Sequence, residues 1–390
     1  MANVGGMQRV SLKLHEALQA RSAPPYVDSV LLRSSWRWTP YKVPFFLGKA
    51  AWRIRQAVRQ NKADVVLFSS MVTASLAVPL RGFFDRHNVK VATIAHGLDV
   101  TLDTSIYQWF VPRVFDALDA VLPVSRATGD ACIARGMPTE QVHVVPNGID
   151  LDRYEPPQDR STMRQTLEHA LGAPNDPLPD DALLLCSVGR QVKRKGFAWF
   201  VREVMPTLPD NVHYWLAGNG PENDTIQRAI DRHQLGDRVR LLGRISNRDL
   251  ARLYRGSDLF IMPNVPVEGD MEGFGVVMLE AGQCGCPSIA ARLEGIQDVI
   301  TEGENGHLVS SEHPAAFRDA VMQYYRQPEK LRLASARAVH HTEATFGWTA
   351  VAEQYVSVFS KLAAPVLAPG DTLPSDHVEV DVNEPMATSS

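Results

Sequence analysis

The stretch GRQVKRKG at 189–196 gathers Arg190, Lys193, Arg194 and Lys195 on one short segment. It follows an apolar run at 183–188, so Arg190 sits where open α/β sheets bind ligands, at the carboxyl end of a strand. A guanidinium and an ammonium there can neutralise a diphosphate. A solvated basic loop is the plainer alternative, and only the position at a strand end weighs against it. A second stretch, EGDMEGFGVVMLE at 268–280, follows the apolar run at 259–262. Its pattern reads as a helix over 274–282. Glu272 then lies just before the helix and Glu280 about a turn and a half inside it. The two carboxylates can face one crevice at different depths. Gly273 and Gly275 leave the amides of the helix start accessible around Phe274, which suits an anion or sugar hydroxyls. The simpler reading is a carboxylate on the helix dipole plus a surface Glu. The apolar neighbours Val277, Met278, Leu279 and Ala281 point instead to a buried, partnered Glu280, since a buried carboxylate needs compensation.

Other signals are weaker alone. Gly5-Gly6 precedes a helix pattern and can cradle a phosphate, although most such pairs are only turns. AGNGPE at 217–222 places Pro221 at a first helical position. His96 ends the apolar run 89–95, a fair site position, though a lone His is more often structural. Asp150-Leu-Asp152 follows a turn and reads as turn and cap chemistry. The remaining histidines show no metal spacing, and His340-His341 is adjacent rather than i, i+4, so no metal site is expected.

The elements that must hold these residues are legible as short apolar runs at 65–68, 89–95, 120–124, 142–145, 183–188, 212–217, 239–242, 259–262 and 288–291. They are the length of buried parallel strands, and helical patterns separate most of them. Such alternation implies α/β layers, with a sheet on each side of 151–182. That middle stretch, with Pro156, Pro157, Pro174, Pro177 and Pro179, reads as a linker.

The chain has 390 residues, 45% hydrophobic and 22% charged, which suits two globular domains. It contains no run of 18 apolar residues and opens on no secretory leader pattern. Cys132, Cys186, Cys284 and Cys286 form no CxxC pair, so a reducing cytoplasm is expected. Net charge is −4, but residues 1–150 carry 17 basic and 11 acidic residues, and 151–390 carry 23 and 33. This split does not suit a dedicated nucleic-acid binder, which would be basic overall. Residues 29–63 hold eight basic residues and no acid, interleaved with Trp36, Trp38, Tyr41, Phe45, Phe46 and Trp52. On a helical wheel Trp52, Arg55 and Arg59 lie off an apolar stripe. The face suits an anionic membrane surface or is simply solvated.

In order and spacing these motifs resemble the retaining glycosyltransferases of family 4, which have the GT-B fold. The similarity runs from Gly5 to about Leu362 and rests most on EGFGVVMLEAGQCGCP and GRQVKRKG, then on VPNGID, LAGNGPE and the late FGW helix. It implies two Rossmann-like, doubly wound domains facing across a cleft. These are an acceptor domain at 1–165 and a nucleotide-sugar donor domain at 182–345. A helix at 346–363 crosses back, and an acidic disordered tail follows at 364–390. Arg190 and Lys195 would bind the diphosphate of a UDP- or GDP-sugar, and Gly6 would touch it from across the cleft. Glu280 would bind the ribose, and Arg244 and Ile245 would flank the base. Glu272, with the amides of Phe274 and Gly275, would hold the sugar, and His96 would face sugar and acceptor. The expected reaction needs no metal or cofactor and serves a lipid or saccharide acceptor in envelope or polysaccharide synthesis, on the inner membrane face. A sugar-nucleotide epimerase of the same fold or a silent binding protein are the alternatives. The strand that should precede Gly5-Gly6 is absent from the sequence, so a shortened N-terminus is expected.

Overall fold

A computed structural model describes residues 6–22, 26–30, 39–102, 104–154, 159–171 and 178–364. Among them, three strands form a parallel sheet in the first half of the chain: β1 (Val65–Phe68), β2 (Lys90–Ala95) and β3 (Ala120–Pro123), in that order. Six form a second parallel sheet: β4 (Leu183–Val188), β5 (Val212–Ala217), β6 (Val239–Gly243), β7 (Leu259–Met262), β8 (Ser288–Ala291) and β9 (Gly306–Val309). Their spatial order is β6-β5-β4-β7-β8-β9. Parallel pairing forces crossovers, and helical segments supply them.

The apolar runs are continuous because both faces of the larger sheet are covered. Leu184, Cys186, Phe260, Met262 and Ala290 enter one core. Their sequence neighbours Leu183, Leu185, Leu259, Ile261 and Ile289 enter another on the opposite face.

Three features differ from the sequence reading. Residues 142–145 are not a full strand: they run beside β3, with the His143 amide donating to the Val121 carbonyl at 2.9 Å. Gly306–Val309 is a strand instead, at the sheet edge, where only Gly306 is fully buried and the apolar signature is weak. The linker stretch contains a helix, Arg160–Leu171, through which the expected boundary at 165 would cut. This helix belongs to the second domain. Arg160 donates to Asp258 at 2.8 Å and to the Gly285 carbonyl at 3.0 Å, and Arg164 also pairs with Asp258.

Helix Trp348–Ala363 returns to the first domain. Its Val351, Ala352, Tyr355 and Val358 share a core with Leu14 and Leu18 of helix Gly6–Gln19. The return is tight at Gly148, where a Cβ would lie 2.5 Å from the Trp348 ring. The glycine of VPNGID therefore makes room for the tryptophan of FGW. Residues 1–5, where the expectation of a missing first strand falls, lie outside the described residues, Gly5 with them. So do 365–390 of the tail and Trp36 and Trp38 of the basic stretch.

Candidate functional site

The order of the larger sheet reverses direction between β4 and β7, so the loops leaving these strands diverge and open a crevice. Glycines weld the crevice walls. Gly196 has φ 65°, and a Cβ there would meet the Pro263 carbonyl oxygen at 1.8 Å. Gly218, with φ 129°, approaches Gly189 as closely: a Cβ would sit 1.9 Å from the Gly189 carbonyl oxygen. The loop after β4 is thus pressed against those after β5 and β7.

That loop carries Arg194 and Lys195 into the crevice. Lys195 is buried, and its Nζ lies 2.6 Å from Glu272 Oε2. Arg194 Nη1 donates to the same oxygen at 2.5 Å, and Asn264 Nδ2 approaches it at 3.4 Å. Burial pushes the Glu272 carboxyl up, but the Lys195 and Arg194 charges outweigh that and hold it below the ordinary range. Burial draws the Lys195 ammonium below its usual value, against the pull of Glu272. The Glu272 main chain is held as well. Its N–H donates to Glu294 Oε2 at 2.5 Å, and its carbonyl accepts from Gly295 N at 3.2 Å. Arg190, by contrast, is exposed, and its guanidinium has no polar partner among the described residues.

Helix Val276–Gln283 starts after Gly275, whose φ of 82° is a conformation that favours glycine. Glu280 is buried inside this helix and accepts from Tyr254 Oη at 3.0 Å. Burial, then the Glu280 charge, drives the Tyr254 hydroxyl well above its usual value, so it remains a donor. The amides of Phe274 and Gly275 donate to no group among the described residues. Arg244 is exposed after β6, and Ile245 is partly buried beside it.

The other wall comes from the first domain. His96 follows β2, and its backbone touches the second domain: a Cβ on Gly273 would lie 2.9 Å from the His96 carbonyl oxygen. His96 Nε2 donates to the Ser69 carbonyl at 3.0 Å, leaving Nδ1 as the acceptor in the neutral ring. The His96 amide donates to Asp99 Oδ1 at 2.7 Å, and burial pushes the Asp99 carboxyl up. Beside this contact, Arg126 donates its backbone amide at 2.8 Å, and its guanidinium, to Asp298 across the cleft. Gly6 begins helix Gly6–Gln19. Asp150 pairs with Lys13 at 2.8 Å, in keeping with a structural role.

The fold thus gathers Lys195, Glu272, Gly273, Phe274, Gly275 and the backbone of His96 at one place. Asn264, Glu294 and Tyr254 were not singled out in the sequence. Asn264 had a faint signal, a polar residue just past a strand's carboxyl end. Glu294 had none, because its role depends on a left-handed backbone, φ 46°.

Comparison with known proteins agrees with this architecture. A family model described as Glycosyltransferase Family 4 matches residues 4–153, and one described as Glycosyl transferases group 1 matches 182–327. A D-inositol 3-phosphate glycosyltransferase of Xylanimonas cellulosilytica is 30% identical over 255 residues, 64% of this chain and 58% of that protein. The chain therefore spans under two thirds of that relative's length. A GDP-mannose-dependent alpha-(1-6)-phosphatidylinositol monomannoside mannosyltransferase of Mycolicibacterium smegmatis is 25% identical over 330 residues, 82% of this chain and 83% of that protein. Among solved structures, Anabaena HepE in complex with UDP and glucose superposes with TM-score 0.69 at 16% identity, over 93% of this chain and 97% of that one. Sucrose-phosphate synthase of Thermosynechococcus elongatus gives 0.66 at 22%, over 93% and 94%. Two family models in sequence order, relatives of the same kind and a shared GT-B architecture agree, and the chain belongs to the group 1, family 4 glycosyltransferases.

Proposed function

We propose that this protein is a retaining, metal-independent hexosyltransferase that moves a hexose from a UDP- or GDP-sugar to a lipid or saccharide acceptor. The observation that carries this reading is the convergence of Lys195 and Glu272 at the sheet's switch point, with exposed Arg190 on the same loop. A glycosyl donor is anionic at one end and rich in hydroxyls at the other. Arg190 and Lys195 neutralise the diphosphate as charge builds on it during departure. Glu272 accepts from sugar hydroxyls while the free amides of Phe274 and Gly275 donate to them. Glu280, oriented by Tyr254, accepts from the ribose, and Arg244 and Ile245 flank the base. Gly6 approaches the diphosphate from the first domain. His96 faces sugar and acceptor, and closure onto Gly273 excludes water and limits donor hydrolysis.

The acceptor side is the more basic domain. Helix Thr39–Arg59 presents Phe45, Lys49, Trp52, Arg55 and Arg59 on an exposed stripe, with Phe45 83% and Trp52 60% exposed. This face supports peripheral contact with an anionic leaflet, on the cytoplasmic side, during envelope or polysaccharide synthesis. No helix among the described residues is long and apolar enough to cross a membrane.

A thermal-shift series with UDP, GDP and ADP and their sugars tests the reading. A true ligand at a hundredfold excess over its Kd stabilises the fold by about 2.7 kcal/mol. One base should raise the midpoint above the others. No shift with any of them rejects a nucleotide-sugar enzyme.

A further inference from the structure

Glu272 Oε2 is shared by two cations. Lys195 Nζ is 2.6 Å away and Arg194 Nη1 is 2.5 Å away. Arg194 also donates through Nε to Asp270 Oδ1 at 2.9 Å, so one guanidinium from the loop after β4 spans two acids of the loop after β7. The two cations are not equivalent. Lys195 is a compact charge on a flexible stem, and a diphosphate arriving beside it competes directly with Glu272 for its protons. Arg194 is a planar fork gripping two carboxylates, and only 18% of its side chain is exposed. A buried carboxylate that loses its only cation is costly and picks up a proton instead.

We infer that Arg194 is a positioning residue for glycosyl transfer, holding Glu272 ionised and in place when the donor's diphosphate draws Lys195 away. The sugar-binding carboxylate then survives the arrival of an anion next to it. This inference rests on the donor-site reading above. The groups facing Glu272 are Arg194 and Lys195 from the loop after β4, Asn264 and Asp270 from its own loop, Glu294 from the loop after β8, and the His96–Gly97 backbone from the first domain. Of the ionisable ones, Arg194 is the cation that remains once Lys195 is engaged by phosphate. Without it Glu272 titrates at higher pH.

Calorimetry on the full chain tests this, with UDP, UDP-glucose, GDP and GDP-mannose between pH 5 and pH 8. In Arg194→Met the free nucleoside diphosphate should bind within about twofold of wild type, because Arg194 does not serve it, while the nucleotide sugar weakens about tenfold or more, the scale of a lost charge-assisted hydrogen bond. That weakening should grow as pH falls. Arg194→Lys, which keeps the charge without the fork, should recover part of the affinity and most of the pH profile. Equal losses for diphosphate and sugar nucleotide, or a loss that is flat with pH, overturn the inference. If Arg194→Met does not fold, Arg194→Lys carries the comparison: a loss confined to the sugar nucleotide supports the role, and an equal or absent loss overturns it. Wild-type protein that binds none of the four overturns the donor-site reading itself, which is a separate outcome.

Discussion

At the scale of single residues, the site works by opposing burial with charge. Lys195 contacts the leaving group in the proposed reaction, so Lys195→Ala should cut turnover by about 10²–10³-fold. Circular dichroism should show an intact fold, and near-normal turnover would remove Lys195 from the mechanism. Tyr254→Phe deletes the hydroxyl that orients Glu280. Nucleotide affinity should fall by about tenfold or more, the worth of one buried hydrogen bond to a charged group, readable by titration with UDP or GDP. The pH dependence of stability follows from Glu272. Its folded pKa lies below the ordinary 4.5, so its pairing stabilises the fold above that value and is lost as pH falls through the depressed one. The stability gap between wild type and Glu272→Gln should be widest near neutrality and narrow as pH falls below the ordinary carboxyl value of 4.5. A gap that widens in acid would contradict that sign.

At the scale of elements, glycines decide how closely loops approach. Gly295 lies against the loop after β7, and a Cβ there would meet the Gly273 carbonyl oxygen at 2.1 Å. Gly196→Ala adds a left-handed backbone, φ 65°, to a clash with Pro263. Its cost should be at least about 1–3 kcal/mol, measured as a drop in denaturant midpoint. An unchanged midpoint would mean that the loop has room to shift. The strands at 183–188 and 259–262 were legible because both faces of the sheet are buried, which leaves an unbroken apolar run. Gly306–Val309 escaped notice because an edge strand needs no such run. Helix Arg160–Leu171 was hidden among prolines. What makes it part of the second domain is the grip of Arg160 and Arg164 on Asp258, a contact about 95 residues away along the chain that no local pattern reports.

At the scale of the molecule, two domains meet through the backbone contact of His96 with Gly273, the Arg126–Asp298 pair and the returning helix Trp348–Ala363. The two halves differ in charge, with a basic excess in residues 1–150 and an acidic excess in 151–390. If the basic stripe of helix Thr39–Arg59 docks on a leaflet, phosphatidylserine vesicles should bind the protein better than phosphatidylcholine ones. Lys49→Glu with Arg55→Glu should abolish the preference, each basic residue near the surface contributing about 1 kcal/mol. Equal co-sedimentation with both vesicle types, or with neither, would dismiss the membrane role.

The sequence by itself determined the fold family and which residue types stand at the strand ends. Strand periodicity, strand-end glycines and the spacing of Arg190, Lys195, Glu272 and Glu280 are local properties, and local properties are written in consecutive residues. Only the tertiary structure decided which charges meet. Glu272 is bound by Lys195 and Arg194 from another loop, by Glu294 from a third and, through Gly273, by the first domain. Those distances depend on how β4, β7 and β8 stack in the sheet, and parallel pairing joins strands that are far apart in the chain.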